Sequence, residues 1–75
     1  MRPITPEAKA LQVDFTLVDE GHGECHVCTL DENGEFLDLL ESFFGRGCSA
    51  KAVKLGARLS RKTGLPLKER RDYDD

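Results

Sequence analysis

Cys25-His26-Val27-Cys28, with His22 before it and Cys48 later, holds residue types that bind zinc. Imidazole nitrogen and thiolate sulfur are the ligands this ion prefers, and a structural site gathers four of them around one point. A Cys-x-x-Cys pair usually contributes its two ligands from a tight knuckle. Here the pair falls in a segment that reads as a strand, where residues three apart point to opposite faces. Cys25 and Cys28 can converge only across a bulge. The expectation is therefore no cofactor, the cysteines serving as small core residues, with zinc on Cys25, His26 and Cys28 as the alternative. A redox role for this pair is disfavoured, because reactive cysteines of that kind sit at a helix N-terminus.

Two further groups invite chemistry. Gly45 and Gly47 flank Arg46 directly before a helical segment and can present backbone N–H groups to an anion. Their spacing matches neither the phosphate-binding loop nor the dinucleotide fingerprint, so a strand-to-helix turn is the simpler reading. Cys48 then falls near the helix start, with no base or carboxylate in a fixed relation to it. Lys51, Lys54, Arg58, Arg61 and Lys62 recur on one side of the same helix as a continuous basic stripe. Such a stripe can track phosphates, meet an acidic protein surface, or only face water. No Asn or Gln interleaves with these cations, so base readout is poor. No pair of titratable groups has a spacing that demands catalysis, and enzymatic activity is not expected.

Charge sharpens the question of partners. Residues 1–45 carry ten acidic and two basic side chains, whereas residues 46–75 carry nine basic and four acidic ones. The basic half suits an acidic protein, a nucleic acid or a second copy of the chain. With 75 residues there is room for one domain, which at this size buries roughly 60–65% of its unfolded surface. No stretch approaches a membrane span and no signal-peptide layout opens the chain. Three cysteines, an odd number, fit a reducing compartment. A cytoplasmic protein without membrane contact is expected.

The elements that position these groups follow from periodicity. Residues 1–9, with Pro3 and Pro6, read as an arm. Leu11, Val13, Phe15 and Leu17 alternate with Gln12, Asp14 and Thr16, which predicts a strand with one buried side. Asp19 to Gly23 reads as a turn, and a second strand follows from Glu24 to Leu30. Glu35 to Phe44 has helical propensity, but Asn33-Gly34 between two apolar runs signals a hairpin with a type I′ turn. The segment is therefore assigned as a strand. Its apolar residues fall on both sides, Phe36 and Leu40 on one and Leu37, Leu39 and Phe43 on the other. One helix cannot cover both, so a homodimer is expected through the open face, that of Phe36 and Leu40 or its opposite.

The helix is the clearest element. Ser49 is a fair N-cap; Cys48, Ala52, Leu55 and Leu59 form the core stripe; Gly64 and Pro66 end it. Residues 68–75 are almost all charged and read as a flexible tail. The predicted fold is α+β, a three-stranded antiparallel meander packed on one C-terminal amphipathic helix, with 10–67 as the domain.

Several motifs in this order resemble the TSCPD family, the small domain near the C-terminus of adenosylcobalamin-dependent ribonucleotide reductases and in short stand-alone relatives. The likeness starts at Arg2-Pro3 and firms at Val13-Asp14-Phe15-Thr16. It continues through Gly21-His22-Gly23, Asp31-Glu32-Asn33-Gly34 and Gly45-Arg46-Gly47-Cys48 to Gly64-Leu65-Pro66-Leu67, about two-thirds of the chain. The name-giving Thr-Ser-Cys-Pro-Asp motif has no counterpart in these residues, nor has a radical-generating barrel or a cobalamin site. The resemblance implies an accessory or regulatory module acting by protein contact, with a ribonucleotide reductase subunit among the candidate partners. Nucleic-acid binding through the basic helix face is the alternative.

Overall fold

Alternating apolar residues make β1 (Ala10–Asp19) a strand with one sealed face, Leu11 and Val13 being wholly buried and Phe15 nearly so. The computed structural model describes residues 2–19 and 22–71. Within them β1 is followed by β2 (His22–Leu30), β3 (Phe36–Phe44), α1 (Cys48–Thr63) and β4 (Leu67–Arg71). Glu20 and Gly21 of the expected turn, and Asp72 to Asp75 of the expected tail, lie outside the described residues.

β1 and β2 pair antiparallel with Val13 opposite Val27 and Phe15 opposite Cys25, and β2 pairs antiparallel with β3. The hairpin signal at Asn33-Gly34 is correct, but the turn type is not I′. Gly34 has φ 80, and no residue other than glycine has positive φ among the described residues. The Gly34 N–H donates to the Asp31 carbonyl at 3.0 Å. The Asp31 carboxylate accepts from the N–H groups of Asn33 and Glu35 at 2.8 and 3.0 Å. This is a three-residue loop closed by a left-handed glycine, a common hairpin connection that spares Asn33 a strained backbone.

The sheet has four strands in the order β3-β2-β1-β4. The α+β class stands, but the expected three-stranded antiparallel sheet gains a fourth strand, and that strand is parallel to β1. It comes from the segment read as tail. Leu67 pairs with Leu11 and Arg71 with Phe15, and the Arg71 guanidinium lies 4.6 Å from the centre of the Phe15 ring. A strand with one apolar residue and four charges is how an exposed edge is kept from pairing with other chains. Its charge hides its structure.

α1 covers one face of the sheet with Cys48, Ala52, Leu55 and Leu59. Ser49 is not its cap. The N-cap is Gly47, left-handed at φ 76 and without a side-chain hydrogen bond. Gly64 ends the helix as expected, at φ 78, its N–H donating to the Ser60 carbonyl. Gly56 brings the helix close to the sheet: a Cβ there would meet Val13 and Leu67 methyls at 3.0 Å. The N-terminal arm is tied down too. Ile4 packs against the core, Ala8 is buried, and Arg2 reaches Asp38 of β3 at 3.3 Å.

Candidate functional site

Four of the five predicted cations converge. Lys51, Lys54, Arg58 and Arg61 line a groove of about 390 Å³ between α1 and β3, together with Leu55, Glu41 and Phe43. The helix period puts the cations on the flank beside the core stripe rather than opposite it, so they lean over β3. Among the described residues none of the four is ion-paired, and the single carboxylate in the groove is Glu41. Lys62 departs from the group. It lines a separate cleft with Arg2, Pro3, Ile4, Leu59 and Thr63, and with Arg61 it lies in the last helical turn, where cations suit the helix dipole.

The apolar candidates need correction. Leu40 is not on an open face; it is 5% exposed and packs in the core under α1, whereas Phe36 is 64% exposed. The reason is irregularity in β3. Val27 faces Glu41 but Cys28 faces Leu39, and Thr29 faces Asp38 but Leu30 faces Phe36. Each shift inserts one residue, Leu40 and then Leu37, and breaks the alternation on which the face assignment rested. The face away from α1 instead exposes Phe36, Leu39 and Phe44. An apolar contact there would rest on these three.

The Cys-x-x-Cys pair is split by the sheet. Cys25 lies in the core under α1, while Cys28 is buried on the other face with Ala10 and Leu30. Among the described residues no three His, Cys, Asp or Glu side chains gather as a metal site. His26 is engaged elsewhere: Nε2 lies 2.7 Å from Glu24 Oε1 and Nδ1 2.8 Å from Ser42 Oγ. A Ser–His–carboxylate chain is the arrangement that activates a hydroxyl for acyl transfer. Here it stands on a sheet face, where ladder N–H groups lie in the plane and do not point at an oxyanion above Ser42. It works as a stitch between β2 and β3. The Glu24-x-His26 spacing was readable; Ser42 became its partner only through cross-strand register.

Against known proteins, the chain matches no family model, no curated protein and no solved structure. The likeness to TSCPD domains therefore rests on the motifs themselves.

Cys25 has a different neighbour. Cys25 Sγ lies 3.2 Å from Cys48 Sγ, both buried. Burial first, and the Cys48 thiol second, push the Cys25 thiol up to about 12 from an ordinary 9.0. The unfolded chain thus releases this proton near pH 9 while the folded chain keeps it, so stability is complete below pH 9 and falls as pH rises toward 12. Urea midpoints measured across that window should decline, and Cys25→Ala should flatten the decline. Parallel declines in both proteins would contradict the assignment.

Proposed function

We propose that this chain is a non-catalytic binding module that holds an acidic, partly apolar segment of a protein partner in the groove between α1 and β3. The observation that carries the reading is the convergence of Lys51, Lys54, Arg58 and Arg61 with Phe43 and Leu55 around one groove. Unpaired cations beside an apolar floor complement carboxylates flanking an aromatic or aliphatic side chain. The motif order shared with TSCPD domains supports a ribonucleotide reductase subunit as that partner. A phosphate backbone has the charge for this site but no use for Phe43 and Leu55.

The test is fluorescence anisotropy of the labelled chain titrated with purified reductase subunits of the source organism, and separately with duplex DNA. Arg58 and Arg61 are exposed, so Arg58→Glu with Arg61→Glu should leave the melting temperature within a few degrees. The same double reversal should weaken reductase binding by about tenfold or more, since rim and groove charges set both encounter and hold. Binding that survives the reversal would remove the groove from the mechanism. Binding confined to DNA, with a slope of roughly −0.9 per phosphate contact against salt, would transfer the site to nucleic acid.

A further inference from the structure

We propose that Cys25 and Cys48 form a redox-active thiol pair that closes to an intramolecular disulfide between β2 and the start of α1. The two sulfurs are 3.2 Å apart, in contact, against about 2.05 Å in a formed disulfide. Cys48 is the first residue of α1, the position that reactive cysteines favour. Its partner comes from a strand 23 residues earlier rather than from a local Cys-x-x-Cys.

A cleft of about 220 Å³ is lined by both cysteines together with Phe15, Gly23, Gly45 and Gly47. A Cβ on Gly23 would stand 3.1 Å from Cys48 Sγ, so a side chain there would crowd the sulfur from the cleft side. The third thiol is kept out. Cys28 lies on the opposite face of the sheet, packed with Ala10 and Leu30.

The oxidant in this proposal is a low-molecular-weight disulfide, RSSR. One thiolate of the pair attacks a sulfur of RSSR and expels RS⁻, leaving a mixed disulfide on the protein. The other cysteine then attacks the protein sulfur of that mixed disulfide, passing its proton to the RS⁻ that it expels. One S–S bond forms in the protein and one breaks in the reagent. Two electrons pass to RSSR, and the two thiol protons end on the two RSH released.

The test exposes the native full chain to oxidised glutathione, then unfolds it in an alkylating agent and maps the peptides by mass spectrometry. The expected product has lost two hydrogens, links Cys25 to Cys48, carries no glutathione, and has Cys28 alkylated. Cys28→Ala should give the same link. A retained glutathione adduct, a link that includes Cys28, or three alkylated thiols after prolonged treatment would each overturn the proposal.

Discussion

Replacing Leu11 with alanine is expected to remove a large share of the protein's stability. Leu11 is 0% exposed and sits where three strands meet, opposite Thr29 of β2 and Leu67 of β4. Removing a buried leucine side chain costs about 2–5 kcal/mol, the larger figure applying where neighbours cannot collapse into the space. Its backbone is pinned as well, the N–H donating to the Pro66 carbonyl at 2.9 Å. A domain of this size has roughly 4–11 kcal/mol of stability in all. The melting temperature followed by circular dichroism should fall by about 10 °C or more. A fall of only a degree or two would mean that this corner of the core is not packed as described.

Ending the chain at Pro66 is expected to be nearly as damaging. That truncation removes β4 and with it five ladder positions along β1, from Leu11↔Leu67 to Phe15↔Arg71. It uncovers the flank of β1, takes away the Leu67 methyls that lie against Gly56, and strips the guanidinium from the Phe15 ring. Hydrogen bonds contribute about 1 kcal/mol each, and half-burying a leucine adds about as much. A loss of roughly 3 kcal/mol lowers the melting temperature by about 10–20 °C in a domain this small. Full-length and truncated chains compared by thermal melt and by hydrogen exchange on β1 decide it. If residues 67–71 were a tail, both chains would melt together.

What was legible in the residues was whatever apolar spacing controls. The β1 alternation, the helix stripe of Cys48, Ala52, Leu55 and Leu59, and the Gly64-Leu65-Pro66 exit all appear where their pattern puts them. The hairpin was legible because Asn33-Gly34 sits between two apolar runs. Three things were not. β4 is stabilised by pairing with β1 and by one leucine, so its charged residues give no period to read. The face of Leu40 depends on inserted residues in β3, which count-by-two reasoning passes over. The contact between Cys25 and Cys48 joins segments whose sequence separation says nothing about distance. Of the candidate site, the cations were found from helical spacing, but Glu41, Phe43 and the departure of Lys62 required the fold.

The irregular β3 and the charged β4 occupy the two outer edges of the sheet. Edges are where one molecule's ladder can be extended by the next, without limit, into cross-β fibres. On one side the inserted residues spoil the even spacing such growth needs. On the other, Lys68, Glu69, Arg70 and Arg71 set charge along the rim. Both rims of the sheet are thereby made poor templates for strand addition, the route by which a folded domain is drawn into a fibre.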